Sequence, residues 1–577
     1  MAAGQSRGSG RRGGAVRPSD IDRRVGFLFL GFLVLLLVGL ARATWLGTVQ
    51  AGTLQKAAAV EQVQQLTLPA PRGTITDRNG VELAISEAAA DVIADPYLIR
   101  QPAEVAAALS PVLGKPEPTL LAELTKPHTG FVYLARMIPA SRAAAAMKLR
   151  LAGKPIDGLS TEPETTRFYP RSWTASQVIG DVYSGLYHHG HGYAGVELEY
   201  DSALTGVDGV RRIVNDAIGH PISIDDLRST RPGKTVELTL DAPLQDYVEQ
   251  VLAGVGATYK PRGATAIVMN PNTGEILALA NWPEVNANDP GGAPAADETD
   301  RAVAFNYEPG STFKAITVAG ALQDGIVTPS TIFNIPYALQ VADRTIHDAE
   351  AHGDEQLSVA DILKYSSNIG ADEIGMRVGA KRFDWWVHRF GFGKPTGVDL
   401  PGEEQGIVLH WWQYSGSSMG NLPMGQGESV TPIQMAAAYS AIANGGILRP
   451  PRIVRAIGGK PTAAPRGTRI LTPNVARELR VMLRGVLADG GTASGAAIPG
   501  WDMAGKTGTA NEVVNGKYSD TDYAASFIGM VPTLHPQLVV AVLVDRPQGA
   551  IYGGAVAAPA FQKIVGWAVP YLGISPR

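Results

Sequence analysis

The stretch ATAIVMNPNTGEILALA at 264–280 decides the fold class. Ala264–Met269 is an apolar run, Asn272-Thr273-Gly274 is a turn, and Glu275–Ala280 returns as a second run, so the pattern is strand, turn, strand. Upstream, Val236–Leu240 alternates as a strand and Pro243–Leu252 reads as a helix. Near the other end, Ala525–Val531 and Leu538–Val544 are two more apolar strands, joined by Pro532–Gln537. The long stretch between these groups is mostly helical and loop-like. Strands from both ends of a segment that encloses a helical middle pair early with late. The expected class is therefore α+β, with an antiparallel sheet covered by helices over 236–577.

The whole chain has 577 residues, enough for two or three domains. Apolar residues make up 45%, which supplies real cores, and a net charge of −4 gives no reason to expect nucleic-acid binding. There is no cysteine, which removes disulfides, thiolate zinc sites and cysteine nucleophiles together. Residues 1–24 are rich in glycine, serine and arginine and are expected to be a disordered cytoplasmic tail. Val25 to Ala41 then runs without a charge, at the short end of a membrane span. Arg42 can snorkel and Trp45 can sit at the interface, which extends the anchor to 25–46. The arginines before the span place the tail inside and the rest of the chain outside the membrane. Ala41-Arg42-Ala43 also fits a signal-peptide cleavage site; a retained anchor is favoured because the apolar run exceeds the usual length. Gln50 to Gln65 reads as a helical stalk, Ala103–Leu113 and Ala140–Leu151 as helices, and Gly190 to Gly209 as a glycine-dense loop. We expect a non-catalytic domain over 47–235.

Three short strings carry chemistry: Ser311-Thr312-Phe313-Lys314, Ser366-Ser367-Asn368 and Lys506-Thr507-Gly508-Thr509. Glu308-Pro309-Gly310 breaks the chain before Ser311, and an apolar helix-like run follows, so Ser311 opens a helix and Lys314 shares its face. A lysine takes a serine proton only when neutral, which at pH 7 requires a drop of about 3 pH units from its ordinary value through burial and nearby positive charge. Lys506 is a candidate for that charge. Ser366 is a candidate proton relay, and Asn368 a candidate to hold Lys314 and a substrate amide. Lys506, Thr507 and Thr509 suit carboxylate binding on an edge strand, and Gly508 suits close approach of a substrate backbone. The Ser311 and Thr509 N–H groups form a candidate oxyanion hole. Together these residues are the kit for acyl transfer through a serine ester. Taken singly, each string also fits a plain structural reading: a capped helix, a polar turn, a polar strand end.

Other motifs compete. Residues 500–507 match the phosphate-loop pattern GxxxxGK[ST], but Gly495–Pro499 is a poor strand and Gly508–Asp520 has no helical period. His188-His189-Gly190-His191 lacks partners at ligand spacing and reads as a surface loop. The tryptophan pairs at 385–386 and 411–412 read as packing, the second with the option of flanking a cleft. No metal and no cofactor is expected.

With the order SxxK, SxN, KTG, the chain resembles class B penicillin-binding proteins, the monofunctional D,D-transpeptidases of cell-wall synthesis. The likeness extends from about residue 25 to the C-terminus through RGTITDRNG at 72–80, AGVELEYD at 194–201, EPGSTFK at 308–314, FGFGKPTGVDLPGE at 390–403 and GQGESVTPIQMAAAYSAIANGG at 425–446. It implies a transpeptidase domain on an elongated pedestal of the dimerisation type. It implies that Ser311 attacks the D-Ala–D-Ala amide of a peptidoglycan stem peptide and that β-lactams acylate Ser311. The implied partners are lipid II-derived strands, a membrane-embedded SEDS-type glycosyltransferase and divisome proteins. Asn at 368 resembles the septal branch more than the elongation branch. An elongation-type enzyme, a β-lactamase, and a non-catalytic scaffold or β-lactam sensor are the alternatives.

Overall fold

The structure, a computed structural model, describes residues 18–50, 52, 63–183, 190–215, 221–289 and 291–576. Its contacts divide into two compact units, residues 1–68 with 208–229, and residues 69–207 with 230–577.

The first unit holds the helix Pro18–Thr48, long and apolar enough over Val25–Thr48 to cross a membrane. Helical structure thus starts at Pro18, inside the segment expected to be a disordered tail, because nothing between Asp20 and Arg24 breaks a helix. The unit also holds a three-stranded antiparallel sheet in which Gly209–Asn215 lies between Val63–Leu68 and Pro221–Arg228. The stalk helix expected over 50–65 lies mostly outside the described residues, and its last positions are strand.

In the second unit one sheet crosses the boundary drawn in sequence near Thr235. Val236–Leu238 pairs parallel with Ile75–Thr76 on one side and antiparallel with Val454–Ile457 on the other. Ile75–Thr76 continues to Glu82–Ala94, which pairs with both Val132–Pro139 and Leu159–Phe168. Pro102–Leu113 is helical, as expected. The next helix stops at Met147, because Arg150–Leu151 turns back through Ala152 and Gly153, both at positive φ, to pair with Lys154–Pro155. The glycine-dense segment after Gly190 contains two short helices, Gly195–Glu199 and Asp201–Leu204, held by the side chain of Arg72.

The sheet that positions the site has five antiparallel strands: β1 (Gly263–Met269), β2 (Ile276–Trp282), β3 (Ala504–Val514), β4 (Lys517–Val531) and β5 (Leu538–Asp545), in the order β2-β1-β5-β4-β3. The hairpin at 264–280 forms as its sequence dictates, and its early strand β1 pairs with the late strand β5. Strand β3 is one edge and β2 the other. Helices Ala242–Tyr259 and Gly553–Tyr571 bury one face of the sheet in an apolar cluster with Phe527, Val540 and Phe561. On the other side stand α1 (Lys314–Gln323), α2 (Val359–Tyr365), α3 (Asn368–Val378) and α4 (Ala380–Arg389), with the buried helix Pro432–Ala443.

Candidate active site

Ser311 sits in a 3-10 turn, Gly310–Phe313, that runs directly into α1. The turn is seated by glycine. Gly310 has φ +54°, its N–H donates to Gly425 O at 2.9 Å, and a Cβ added there would lie 3.1 Å from Ala510 Cβ and 3.2 Å from Thr509 O. Ser311 is therefore held beside the main chain of β3. Lys314, three residues on, is 0% exposed.

The Lys314 ammonium donates to Ser366 O at 2.6 Å and Asn368 Oδ1 at 2.7 Å, and lies 3.3 Å from Ser366 Oγ. Lys506, also fully buried, donates to the same Ser366 Oγ at 2.9 Å and reaches Thr507 O at 3.2 Å. Ser366 is the C-cap of α2 with φ 64°, a left-handed conformation that β-carbon sterics disfavour. That bend aims its carbonyl and hydroxyl at the two lysines. The structure thus brings Lys314, Ser366, Asn368 and Lys506 together beside an edge strand, with Ser311 one turn before Lys314.

Burial pushes the Lys314 ammonium down to about 8, against the opposing pull of Asp348 and Asp372. Lys506 falls well below the ordinary lysine value, through burial first and the charge of Lys314 second. The sequence leads one to expect burial together with positive charge from Lys506; in the structure burial lowers Lys314, and the repulsion between the amines bears on Lys506 instead.

On β3, alternate residues serve two faces. Lys506 and Gly508 face the Ser311 turn; a Cβ on Gly508 would lie 2.3 Å from Ser526 Oγ and 3.0 Å from Pro309 O. This glycine makes room for the chain's own neighbours, rather than for a substrate backbone as the sequence suggests. Thr507 and Thr509 leave the strand on its other side, and the long Lys506 side chain curls back so that its ammonium lies 3.3 Å from Thr507 Oγ1. Thr507 Oγ1 lies 2.9 Å from Thr492 Oγ1, and Thr509 Oγ1 accepts from Gly553 N–H at 3.0 Å, which leaves the Thr509 proton free to donate.

Two aspartates in the site escape sequence reasoning. Asp348 accepts from Ser367 Oγ at 2.7 Å, from Ile369 N–H at 3.0 Å and from Asn368 N–H, so it caps α3 and fixes the Ser366–Asn368 corner. Asp372 lies one helical turn after Asn368 and is 0% exposed, with the Met424 N–H as the donor directed at its carboxyl. Burial pushes its carboxyl up to about 8, against the lowering pull of Lys314. An Asn-x-x-x-Asp spacing on a helix is the one signal that pointed to it.

The phosphate-loop alternative fails on geometry: Lys506 and Thr507 lie inside a strand that leads into another strand, with no helix to cradle phosphate. In the histidine-rich loop, residues 188 and 189 lie outside the described residues, and His191 contacts Asp201 at 3.0 Å.

Comparison with known proteins agrees with this arrangement. Residues 264–566 match the penicillin-binding protein transpeptidase domain, and residues 67–238 match the penicillin-binding protein dimerisation domain. The chain belongs to the class B penicillin-binding proteins. Among curated relatives, this class B protein is 32% identical to the probable peptidoglycan D,D-transpeptidase PenA of Neisseria meningitidis, over 97% of this chain and 94% of that one. It is 33% identical to the penicillin-binding protein PbpB of Mycobacterium tuberculosis, covering 93% and 83%. Among solved structures, penicillin-binding protein 3 of Mycobacterium tuberculosis complexed with ampicillin aligns with TM-score 0.69 at 29% identity, covering 88% of this chain and 97% of that one.

Within the dimerisation match of this class B protein, Arg72 is the centre of a buried polar cluster. Its guanidinium donates to Glu197 Oε2 at 2.6 Å, Glu197 O at 2.7 Å, Asp201 Oδ1 at 2.6 Å and Gly190 O at 2.8 Å. Arg167 holds the other oxygen, Glu197 Oε1, at 2.6 Å. The arginine-glycine and AGVELEYD strings are therefore two halves of one joint.

Proposed function

We propose that this protein is a peptidoglycan D,D-transpeptidase that cross-links stem peptides through an ester on Ser311. The observation that carries the reading is a fully buried Lys314, brought down to about 8 by desolvation, with Ser366 and Asn368 on its ammonium. In the neutral form Lys314 takes the Ser311 hydroxyl proton as Oγ attacks the penultimate D-Ala carbonyl carbon. The resulting oxyanion sits between the Ser311 and Thr509 N–H groups. The C–N bond breaks, the departing D-Ala amine collects the proton through Lys314 and Ser366, and an ester remains. An amine from a neighbouring strand then attacks the ester carbonyl, surrenders its proton along the same route, and restores Ser311. One amide replaces another, so the exchange needs no nucleotide. Lys506, whose ammonium curls toward the threonine side of the strand, and the Thr507 and Thr509 hydroxyls bind the terminal carboxylate.

A β-lactam enters as an amide that acylates Ser311 and stays. The septal branch is the reading we favour for this enzyme. Asn368 supports it, as does 31% identity to the peptidoglycan D,D-transpeptidase FtsI of Escherichia coli, over 93% of this chain and 90% of that one. Val25–Thr48 serves as a single-pass anchor with the catalytic domain outside the membrane, beside a SEDS-type glycosyltransferase and divisome proteins.

Labelled penicillin should mark the protein covalently, and Ser311→Ala should abolish the mark. Lys314→Ala should keep reversible penicillin affinity and slow acylation by about three orders of magnitude. Labelling that survives Ser311→Ala removes the nucleophile assignment. A fluorescent fusion distributed along the side wall instead of at midcell removes the septal one.

A further inference from the structure

A second constellation lies away from the Ser311 cleft. Asp384 and His388 are one turn apart on α4, so both present to one face, and His410 arrives from the segment just before the 3-10 turn Trp411–Gln413. Three ligand-type atoms converge there. His388 Nε2 is 3.0 Å from His410 Nδ1 and 3.0 Å from Asp384 Oδ1, and His410 Nδ1 is 3.6 Å from Asp384 Oδ1. A tetrahedral zinc with bonds of about 2.0–2.2 Å places its ligand atoms about 3.3–3.4 Å apart. The three separations bracket that edge.

The surroundings are those of a ligand set. His388 Nδ1 lies 3.2 Å from Phe392 O, so the ring donates there and leaves the Nε2 lone pair turned into the cluster. Asp384 is 7% exposed, and its Oδ1 receives no hydrogen bond despite the two imidazoles beside it. A single proton between the rings satisfies one contact; a cation satisfies all three. Among the described ion pairs, Asp384 meets only the two histidines. The histidine side chains are 31% and 44% exposed, so solvent reaches the cluster.

We propose that Asp384, His388 and His410 bind one divalent zinc ion, which staples α4 to the segment that carries His410. Two imidazoles and a carboxylate are the donor set zinc prefers over calcium or magnesium. The staple is separate from the Ser311 chemistry and does not depend on it. The chain from His410 leads through the turns Ser418–Gly420 and Leu422–Met424 to Gly425, whose carbonyl accepts from Gly310 beside Ser311.

The test uses untagged full-length protein in detergent, stripped with a chelator and titrated with Zn2+ against a chromophoric competitor. We expect one tight equivalent, and a rise in melting temperature on adding zinc. His388→Ala and His410→Ala should each weaken binding roughly a hundredfold or more, and Asp384→Asn at least about tenfold. His352→Ala, which disrupts a separate histidine contact with Asp348 and Glu355, should leave zinc affinity unchanged. Should His388→Ala misfold, His388→Gln with an unaltered zinc-free melting curve serves in its place. Absence of stoichiometric binding, or binding indifferent to positions 388 and 410, overturns the proposal, as does binding lost on His352→Ala.

Discussion

Lys314 and Lys506 approach one hydroxyl, Ser366 Oγ, from a helix and a strand. Two ammonium groups cannot share so dry a place at full charge, and burial favours loss of a proton from each. Asp372 opposes this at Lys314, and the two groups, each near 8, titrate as a pair. Acylation by penicillin should therefore accelerate as pH rises through about 8, because the neutral amine accumulates. Asp372→Asn removes a carboxylate that sustains the Lys314 charge. Its pH–rate limb should move to lower pH, with a few-fold gain at pH 7, measured by stopped-flow acylation across pH 6–10. A limb that stays in place means Asp372 does not bear on the base. Ser311, Lys314 and their shared helix face were legible in sequence, because three-residue spacing is enforced by helix geometry. Asp348 was not: it lies 18 residues before Ser366 and reaches the site only after the chain has folded back, a contact that local pattern does not encode.

The joint of Arg72, Glu197, Arg167 and Asp201 shows how separate segments are fixed to each other. Glu197 is 0% exposed and pairs with both arginines, so its loss strands the buried Arg167 guanidinium and takes one of the two carboxylates from Arg72. Glu197→Ala should cost about 3–5 kcal/mol, read as a drop in denaturant midpoint, and Arg72→Ala should fall in the same range. A loss within about 0.5 kcal/mol, typical of a surface site, would mean the joint is dispensable. The elements themselves were unevenly legible. The hairpin β1–β2 was plain, since apolar runs around Asn-Thr-Gly admit one reading. The helix expected to reach Leu151 ends at Met147, because a two-residue turn at Ala152-Gly153 outcompetes alanine-rich propensity. The short helices after Gly190 were masked by glycine content, and tertiary contacts to Arg72 supply what propensity lacks.

At the largest scale, residues 69–207 and 230–577 fold as one unit through shared strands and a few buried polar contacts. Glu249 is one of these. It accepts from Ala175 N–H at 2.7 Å and Gln245 Nε2 at 2.8 Å, and burial raises its carboxyl to about 8. A carboxyl raised on folding stabilises fully below its unfolded value, near 4.5, and that contribution is lost as pH climbs through 8. The melting temperature should accordingly fall between pH 5 and pH 8.5, and Glu249→Gln, which mimics the protonated acid, should flatten that decline. Parallel curves for the two proteins would show that Glu249 is ionised throughout. Four strands of the five-stranded sheet were legible as apolar runs, and the polar β3 only as a string suited to an edge. The place of Val454–Ile457 was not: a four-residue strand carries no mark of the distant sheet it joins.

The alternation along β3 has a consequence for how this protein varies. Lys506 and Gly508 serve one face, Thr507 and Thr509 the other, and the pairing of Thr507 with Phe527 and of Thr509 with Ala525 locks the phase. A one-codon insertion or deletion between Ala504 and Lys506 would exchange the faces, turning the amine away from Ser366 while leaving hydrophobicity and length nearly unchanged. Variation along this strand is thus confined to exchanges that keep Lys506 and Gly508 in phase, and a gain or loss of a single amino acid is excluded.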